Sequence, residues 1–571
     1  MITRVTVEHF KRFEREVFDL ADHVVLAGPN NSGKTTLLQA IAVWNLAAQK
    51  WTARRGSGTS TKAKERTGVP ITRKEFTAVP LREMKLLWHE AAIALRKEEL
   101  KKDQKAGAPR VLTIALEGRT AGEPWTIRFE FRCSGTELLY AKPAPDHVAS
   151  LQNSTRDITV VHMPPFSGIG AEETRYDRPY QDLLIGQGKP GDILRNLLLE
   201  VHENAPDGWK ALCKDVKEIF GHHLLPPKYE GRPFILAEYL PGIPARGKKN
   251  GLSELDVSSA GSGFHQVLLL LGFLYARPST VLLLDEPDAH LHVILQKQIY
   301  DRLRRLAAER GSQLIIATHS EILIDGTSPD QILSFYSEPH RLVTEVERDQ
   351  VREALKRLSA MDILLAEQAE GVLYVENESD FNLLRAWARV MDHPTYEWFT
   401  RRPFWHANQG RNPREAREHF FALRAIQPDL RAYLLLDGDN RGLSDREVRA
   451  DGLVIGRWKR YEAESYLIHP TSLNRFIETM APRMPLLISA AERYLKDELP
   501  PAVIREPLGE HDYLNVTPTS KTILPGFFKA AGIGFSRTDF YLIAEQMEQD
   551  EICSEVGEKL DDIGRSLGLM K

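Results

Sequence analysis

The stretch HVVLAGPNNSGKTT at residues 23–36 is the most informative part of the sequence, because it predicts a strand, a glycine-bearing loop and a helix in direct succession. Its loop, GPNNSGKT, matches the pattern GxxxxGK[ST]. Glycines allow consecutive backbone N–H groups to curl around phosphates, and the N-terminus of the following helix adds positive potential. The stretch therefore predicts an α/β fold with a phosphate-binding loop.

In such a loop we expect Lys34 to reach the β- and γ-phosphates of ATP and the Thr35 hydroxyl to ligate Mg²⁺. The residues expected to bind the nucleotide here are Gly28, Asn30, Asn31, Ser32, Gly33, Lys34, Thr35 and Thr36.

Two later apolar strands end in residues suited to phosphate chemistry. VLLLDEPDAHLH, residues 281–292, delivers Asp285 to hold Mg²⁺ through water and Glu286 to polarise the attacking water. LIIATHS, residues 314–320, delivers His319 as a catalytic residue that senses or stabilises the γ-phosphate. The alternative for the acid pair is a helix N-cap, and for the histidine a structural role.

Between these motifs, SSAGSG at residues 258–263 forms a loop of small residues that opens the apolar helix QVLLLLGFLYA. Such a loop can present backbone N–H and hydroxyl groups to phosphate. The nucleotide contacts expected from it are Ser259, Gly261, Ser262 and Gly263.

The four motifs, in this order over residues 28–320, resemble the ATP-binding cassette (ABC) superfamily and its SMC and RecF-like relatives. In that superfamily a Ser-Gly signature in the position of SSAGSG caps the ATP held by the opposite subunit. The resemblance implies that Ser259 or Ser262 touches the γ-phosphate across a homodimer.

In the second half of the chain, carboxylates follow three strand-like segments, VLYV, YLLL and LVIG. Acids at the carboxyl ends of parallel strands supply the converging oxygens that hard divalent cations need, and a two-metal site can hydrolyse phosphodiesters. The alternative is that each acid caps a helix or lies in a solvated loop. The predicted metal ligands are Glu376, Asp380, Asp437, Asp439, Glu462 and Glu464.

This arrangement resembles the Toprim fold of topoisomerases, primases and OLD (overcoming lysogenization defect) family nucleases, whose signature is a Glu after one strand and DxD after another. Glu376 takes the first role and Asp437 with Asp439 the second. Glu464, in AESYL, is similar to a later acidic position of OLD-like proteins, with Glu462 as the substitute.

Cations near these acids could assist phosphate chemistry. Lys521, in PTSKTILPGFF after the last strand-like segment, is the candidate catalytic cation that stabilises the transition-state phosphate, and an ordinary surface lysine is the alternative. The arginine-rich segment 401–417, which contains Phe404 and Trp405, fits a nucleic-acid backbone track or a solvated amphipathic helix.

Composition excludes several classes of protein. The 571 residues contain 75 Lys plus Arg against 79 Asp plus Glu, and 42% are hydrophobic, which rules out peptide toxin, collagen-like and wholly disordered chains. Three distant cysteines without a CxxC pair argue against disulfides and a thiolate zinc site. The N-terminus lacks a signal-peptide apolar region and the longest apolar run has ten residues, so we expect a cytoplasmic protein outside the membrane.

The sequence predicts an ABC/SMC-like ATPase domain at 1–345, a helical linker at 346–370 and a Toprim domain at 371–571. Within the first lie a basic insertion at 51–108 and a helical element at about 182–220, either dimerising or part of the core. The fold class is α/β: an ABC-type P-loop ATPase domain with helical insertions, followed by a Rossmann-like Toprim domain.

Within the insertion, LREMKLLWHEAAIALRKEELKKDQK at residues 81–105 has helical spacing. Residues 51–110 carry 15 Lys plus Arg against 7 Asp plus Glu, which fits a phosphate-binding surface or, more commonly, a solvated helix face.

The order of the two domains resembles the OLD family over nearly the whole chain. The resemblance implies ATP and Mg²⁺ as cofactors, Mn²⁺ as a substitute at the Toprim site, a homodimer or higher homo-oligomer, and ATP-regulated, metal-dependent cleavage of DNA. It also implies a role in bacterial anti-phage defence, with a defence-system partner, or in DNA processing. The alternative is an ATP-switched DNA-binding sensor or scaffold whose Toprim domain is inactive and acts through a partner effector. An SMC-like structural ATPase would need a long coiled coil, and no segment sustains heptads over 40 residues.

Overall fold

The computed structural model describes all residues except 56–67, 97–106, 121, 149–150, 152–157, 167, 243–252, 278–280, 290, 337, 402, 409–412, 441–451, 481–484 and 571. Much of the predicted basic insertion therefore lies outside the described residues. The chain divides into two compact units, Met1–Leu355 and Lys356–Lys571. This division falls within the segment for which the sequence predicts a helical linker.

The first unit contains fifteen described strands and eight described helices, the last of which spans the division. The strands are β1 Ile2–Phe10, β2 Phe13–Asp19, β3 His23–Ala27, β4 Val69–Thr72, β5 Leu112–Thr120, β6 Glu123–Cys133, β7 Leu138–Pro143, β8 Val160–Met163, β9 His223–Leu224, β10 Glu238–Leu240, β11 Leu255–Asp256, β12 Val281–Asp285, β13 Gln313–Thr318, β14 Ile332–Ser334 and β15 His340–Arg341. The helices are α1 Lys34–Arg55, α2 Arg178–Gly186, α3 Leu194–Asn204, α4 Pro206–Phe220, α5 Ser262–Ala276, α6 Val293–Arg310, α7 Glu321–Asp325 and α8 Glu345–Arg357.

The sheet that carries the phosphate-binding loop has the order β15-β14-β3-β13-β12-β8, and all its pairs except β15 with β14 are parallel. Every residue of β12 and of β13 is buried. Continuous apolar strands of this kind are typical of a parallel sheet covered on both faces. The carboxyl ends of β3, β12 and β13 consequently lie at one edge.

A second six-stranded sheet, in the order β2-β1-β5-β6-β7-β4, is antiparallel, and its strands alternate between buried and exposed residues. One hydrophobic core contains residues of both six-stranded sheets and of helix α1. Within it, the Trp44 indole of α1 donates a hydrogen bond to the Ile127 carbonyl at 3.0 Å. The buried Gln313 side chain also links the sheets, because it bonds both the N–H and the C=O of Ile2 at 2.7 Å.

The segment 182–220 is helical, as the sequence predicts, and its central helix α3 belongs to the core. Six of its first seven residues are buried, among them Leu194, Leu197 and Leu198, and the helix packs against α5. Helix α5 is apolar on all sides and nearly every residue in it is buried. Of the two sequence-based interpretations, the described structure of α3 therefore corresponds to a core helix.

The helix predicted over 81–105 is wrong for the described part of that segment. Residues 84–91 form two short 3₁₀ turns, Met84–Leu87 and His89–Ala91. Trp88 forms a β-bridge with Phe10, and its buried indole donates to the Arg110 carbonyl at 2.8 Å. These long-range contacts override the local helical pattern.

The second unit is built on a four-stranded parallel sheet in the order β17-β16-β18-β19. Its strands are β16 Gly371–Val375, β17 Trp405–Ala407, β18 Arg431–Leu436 and β19 Leu453–Arg457. Its helices are α9 Ala360–Gln368, α10 Glu378–Val390, α11 Tyr396–Arg401, α12 Pro413–Leu423, α13 Pro470–Met480, α14 Pro485–Glu498, α15 Pro501–Arg505, α16 Asp512–Val516, α17 Ile523–Ala530, α18 Tyr541–Ala544 and α19 Ser554–Ser566.

Alternate residues of β16 and β18 point into a single core that includes Leu373, Val375, Tyr433 and Leu435. Because the strands are parallel, the residues that follow them emerge at one edge of the sheet. In neither unit is a described helix both long and apolar enough to cross a bilayer.

Candidate functional site

The phosphate-binding loop and the ends of β12 and β13 surround a cavity of about 460 Å³. Left-handed backbone at Asn31 and Gly33, with φ of 61° and 112°, shapes the loop. Among the predicted site residues, those lining this cavity are Asn30, Asn31, Ser32, Gly33, Lys34, Thr35, Thr36, Glu286 and His319.

Lys34, the first residue of α1, is 5% exposed. Its ammonium donates to the carbonyls of Gly28 at 2.7 Å and Pro29 at 2.8 Å, and lies 3.1 Å from His319 Nε2. Burial lowers the pKa of Lys34 to about 8. The cation is thus fixed beside the loop by neutral acceptors, which leaves its charge available to an anion.

Thr35 and Asp285 meet directly, since the threonine hydroxyl donates to the Asp285 carboxylate at 3.0 Å. Burial raises the pKa of Asp285 to about 6. Two adjacent oxygens, one of them a buried carboxylate whose ionisation is opposed by its surroundings, suit Mg²⁺. The residues present therefore fit the metal that the motif implies.

Glu286 has left-handed backbone, with φ of 49°, which is strained for a residue with a side chain. Its N–H donates to the Ala317 carbonyl at 2.9 Å, and its carbonyl accepts from Gln266 Nε2 at 3.2 Å. Its carboxylate lies 3.5 Å from His319 Nε2. Burial, followed by the charge of Lys34, lowers the pKa of His319 to about 4, so the imidazole is neutral at pH 7.

Sequence reasoning missed four residues of this site. Lys11 and Arg12, in the turn between β1 and β2, line the cavity, and the Lys11 backbone has a φ of 49°. Gln266 ties α5 to the Glu286 backbone, and Asp288 accepts from the Thr318 hydroxyl at 2.6 Å. The basic HFKRF turn was the sequence signal available for Lys11 and Arg12. Gln266 and Asp288 are linked to the site only by tertiary contacts.

The SSAGSG loop is not brought to this cavity within one chain. Ser258 donates its N–H and hydroxyl to Asp256, and the Ser259 hydroxyl donates to the Asp256 carbonyl at 2.7 Å. Ser262 begins α5 and is exposed, as is Gly261, and Gly263 is half-buried. None of these loop residues lines the cavity at the phosphate-binding loop of the same chain, and most of them are exposed.

In the second unit, a cavity of about 540 Å³ opens at the carboxyl edge of the sheet. All six acids and the lysine predicted from the sequence line it. They are Glu376, Asp380, Asp437, Asp439, Glu462, Glu464 and Lys521.

Burial is the main cause of the raised pKa values of the acids in this cavity, and mutual repulsion of carboxylates adds to it. Both raise the pKa of Asp437, where the next contributors are Asp380 and Glu376. The same causes raise the pKa values of Asp380 and Glu464. Buried carboxylates that oppose one another's ionisation favour either shared protons or a bound cation.

Two of the six acids accept hydrogen bonds from the backbone N–H groups of other residues. Asp380 accepts from the N–H of Asn377 at 2.9 Å at the start of α10. Glu462 accepts from the N–H of Ser520 at 2.5 Å and from the Thr519 hydroxyl at 3.3 Å. No group of three or more His, Cys, Asp or Glu among the described residues is placed to hold a metal ion. The donor types fit Mg²⁺ or Mn²⁺, whereas the positions of the side chains do not form a completed ligand set.

Lys521 comes after β19, the last described strand, as the sequence analysis places it, although helices separate the two. It lies in the turn between α16 and α17, and its N–H donates to the Pro518 carbonyl at 3.0 Å. Long-range hydrogen bonds from Ser520 and Thr519 to Glu462 hold this turn at the cavity. The position of Lys521 therefore depends on tertiary contacts. Further lining residues that the sequence analysis did not assign to the site are Asn377, Glu378, Ser379, Trp405, Ala407, Tyr461, Ser520, Arg537 and Thr538.

The arginine-rich segment lies only partly within the described residues. Arg401 pairs with Glu397 at 2.7 Å and Arg414 with Glu418 at 2.9 Å, each across one helical turn. Such exposed pairs are typical of a solvated helix. Trp405 alone among the named residues of this segment lines the acidic cavity.

Residues 236–325 match the family AAA_21, described as "AAA domain, putative AbiEii toxin, Type IV TA system". This range contains SSAGSG, β12 and β13. No curated protein matches the sequence.

Solved structures with a distant likeness include SMC head domains. For the SMC head domain from Thermotoga maritima the identity is 15% and the TM-score 0.31, over 60% of this chain and 99% of that one. For an Smc head bound to the C-terminal domain of ScpA, derived from Pyrococcus furiosus, the values are 14% and 0.32, over 58% and 92%. Likenesses at this level imply no shared partner or activity.

The motif order, the geometry around Lys34 and the family match together define the class of the first unit. It has an α/β fold built around a phosphate-binding loop, and its residues 236–325 resemble an AAA-type ATPase domain. The match does not extend to the second unit.

Proposed function

We propose that the protein binds and hydrolyses ATP in its first unit and cleaves DNA phosphodiesters in its second, under the control of the ATPase. The observation that carries the ATPase is the convergence of Lys34, Thr35, Glu286 and His319 on one cavity. The observation that carries the nuclease is the cavity lined by six acids and Lys521 at the carboxyl edge of a parallel sheet.

The ATPase roles follow from position. The loop N–H groups and Lys34 hold the β- and γ-phosphates, and Glu286 orients the water that attacks the γ-phosphorus. The neutral His319 imidazole, 3.1 Å from the Lys34 ammonium and 3.5 Å from the Glu286 carboxylate, keeps these two opposite charges from pairing directly. Thr35 and Asp285 are the residues that would hold Mg²⁺, which supplies charge neutralisation on the phosphates when bound.

Phosphodiester cleavage in the second unit is hydrolysis: water forms a bond to phosphorus and the bond from phosphorus to the leaving oxygen breaks. Glu376, Asp437 and Asp439 are the residues that would hold Mg²⁺ or Mn²⁺, which activates water and stabilises the leaving oxygen when bound. Lys521 stabilises charge on the phosphate oxygens. By resemblance to Toprim and OLD-family proteins, we place the activity in a homodimer acting in anti-phage defence or DNA processing.

The second candidate is an ATP-switched DNA-binding sensor whose second unit does not cleave and acts through a partner effector. One observation favours it: no three described His, Cys, Asp or Glu side chains are placed to hold a metal. Asp380 and Glu462 are meanwhile engaged in hydrogen bonds to backbone N–H groups.

The two candidates separate in one experiment on the full chain. Supercoiled plasmid is incubated with the protein and Mg²⁺ or Mn²⁺, with and without ATP, beside a double variant Asp437→Ala, Asp439→Ala. Nicking that disappears in the variant supports the nuclease and gives the sign of ATP control. Intact ATP hydrolysis without cleavage under any condition supports the sensor.

A further inference from the structure

The cations of the acidic cavity are unusual because they do not neutralise its acids. Lys521 and Arg537 both line the cavity, yet neither makes an ion pair or hydrogen bond through its side chain with a described residue. Both residues are exposed although they line the cavity, so water screens their charges from the buried carboxylates. The two cations are therefore available to bind an anion that enters the cavity.

Each cation is carried by a segment with fixed geometry. Glu462 anchors the Lys521 turn through Ser520 and Thr519, and the Thr519 hydroxyl lies 3.1 Å from that of Ser465. The Arg537 turn is capped by Ser536, which accepts from the N–H of Thr538. Glu462 therefore acts on the site as a positioning residue for Lys521.

An aromatic surface lies in the same cavity. The Trp405 ring lines it, is half-buried, and stacks on Phe381 with centroids 4.8 Å apart and ring planes 17° apart. A ring backed in this way is held rigidly enough to receive a second stacked ring. Nucleobases stack on aromatic side chains irrespective of sequence.

The size of the cavity restricts what can enter it. At about 540 Å³ it lies within the range of roughly 300–1,000 Å³ typical of pockets that enclose one small ligand. A base that stacks on Trp405 inside this pocket must lie outside a duplex, because the faces of a paired base are covered by its neighbours in the stack. One nucleotide of a single strand fits.

We propose that the acidic cavity receives an unpaired DNA strand, with Lys521 and Arg537 holding a backbone phosphate and Trp405 stacking on the adjoining base. This proposal rests on the proposed function of the second unit, and it adds the substrate class and two recognition residues, Arg537 and Trp405. The phosphate lies between the cations and the carboxylates, which places a scissile bond next to the acids.

The test measures binding of a fluorescein-labelled single-stranded oligonucleotide to the full chain by anisotropy, in calcium and at several salt concentrations. The same sequence as a duplex is the comparison. We expect the single strand to bind at least about tenfold more tightly than the duplex. Arg537→Ala should weaken single-strand binding about tenfold and reduce the salt slope by about 1, as loss of one phosphate contact does.

Aromatic recognition is tested separately. Trp405→Leu should weaken single-strand binding at least about fivefold without changing the salt slope, and Trp405→Phe should retain most of the affinity because stacking survives. Lys529→Ala and Arg493→Ala remove exposed cations of the same unit that do not line the cavity, and should leave binding within about twofold of wild type.

Failure of this proposal is distinct from failure of the nuclease. If wild type cleaves DNA, Asp437→Ala does not, and the KM is unchanged in Arg537→Ala and Trp405→Leu, the strand-recognition proposal is overturned and the nuclease stands. Equal affinity for duplex and single strand also overturns it. Single-strand binding that depends on both residues, without cleavage in Mg²⁺ or Mn²⁺, upholds the proposal and overturns the nuclease.

Discussion

The cavities of the two units are opposite in charge and in construction. Around the phosphate-binding loop, a buried cation, Lys34, is held by carbonyl oxygens and a neutral imidazole, so the site attracts an anion. In the second unit, buried carboxylates such as Asp437 and Asp380 face one another, so their ionisation is suppressed until a cation arrives. The first site therefore attracts anions, whereas the buried carboxylates of the second attract cations.

The sites also differ in how locally they are encoded. Most of the lining of the first comes from one continuous stretch, residues 30–36, completed by Lys11, Arg12, Glu286 and His319. The second draws its lining from six separated stretches between residues 376 and 538. Substitutions should therefore affect the two sites independently.

The largest effect is expected for Lys34→Ala, because the variant loses the only cation fixed by the loop itself. We expect kcat/KM for ATP hydrolysis to fall on the order of 1,000-fold, about 4 kcal/mol of transition-state stabilisation. Steady-state phosphate release measures it. Lys50→Ala, further along α1 where the ammonium pairs with Glu75 at 3.3 Å, is the control and should keep activity. Turnover of Lys34→Ala within about tenfold of wild type would contradict the assignment.

Asp437→Ala tests whether the acidic cavity is the cleavage site. We expect DNA cleavage to fall at least about 100-fold while ATP hydrolysis stays within about twofold, because the carboxylate lies outside the ATPase unit. Plasmid nicking and phosphate release are measured on the same preparation. Asp429→Ala removes an exposed acid just before β18 and serves as the control. Surviving cleavage in Asp437→Ala would move the metal site elsewhere.

Glu286→Gln separates binding from hydrolysis in the first site. The phosphate cradle around Lys34 remains, so the Kd for ATP should stay within about threefold, while hydrolysis should slow about 100-fold because the amide polarises water poorly. Nucleotide titration and single-turnover hydrolysis measure the two effects. Glu309→Gln, an exposed position on α6, is the matched control. Normal turnover in Glu286→Gln would refute the role of this glutamate.

A smaller effect, on stability, is expected for Gly438→Ala in the DGD turn. An added Cβ would lie 2.2 Å from the Arg460 carbonyl oxygen and 2.9 Å from that of Trp458. Because both are backbone atoms, the turn must shift, at about 1–3 kcal/mol. We expect the Tm of the second unit to fall by about 2–10 °C. Gly534→Ala, where nothing lies within 4 Å, should leave the Tm unchanged, and equal Tm values for both variants would mean that the turn accommodates the methyl group.

The smallest effect concerns Glu551, an acid of the second unit that is fully compensated. Burial would raise its pKa, but Arg475, the Glu548 N–H and the Ser472 hydroxyl outweigh this and lower it to about 2. Since the folded pKa lies below the ordinary value of 4.5, the unfolded chain binds the proton first. The free energy of unfolding of this unit should therefore fall as pH decreases from about 4.5 to about 2.

Urea midpoints across that pH range measure this dependence. Glu551→Gln should flatten it, whereas Asp497→Asn, at an exposed position of α14, should leave it in place. An unchanged pH dependence in Glu551→Gln would assign it to other carboxylates.

Sequence reasoning located the residues of the first cavity that lie in short continuous motifs. In three stretches an apolar strand or the loop after it leads directly to the candidate side chain: GPNNSGKT, LLLDE and LIIATHS. The hydrophobic pattern and the motif together therefore locate Lys34, Glu286 and His319. The six acids of the second cavity were also found, because each follows a strand-like segment. Their role as metal ligands stays a prediction, and Glu462 also accepts a hydrogen bond from Ser520 in the turn that carries Lys521.

Sequence reasoning failed where long-range contacts outweigh local pattern. The spacing of residues 81–96 favours a helix, but pairing of Trp88 with Phe10 holds the segment in short turns. Arg537 belongs to no motif, and the sequence names Trp405 only as part of the arginine-rich segment 401–417. The packing of distant segments places both beside the acids.

The sequence by itself determined that this chain has an α/β ATPase unit and where its phosphates are expected to bind, because a phosphate-binding loop is a local object made by neighbouring N–H groups. Only the tertiary structure decided which side chains share the second cavity and which of its cations remain unpaired. Those properties depend on distances between segments up to about 160 residues apart in the chain, and periodicity within a segment carries no information about such distances.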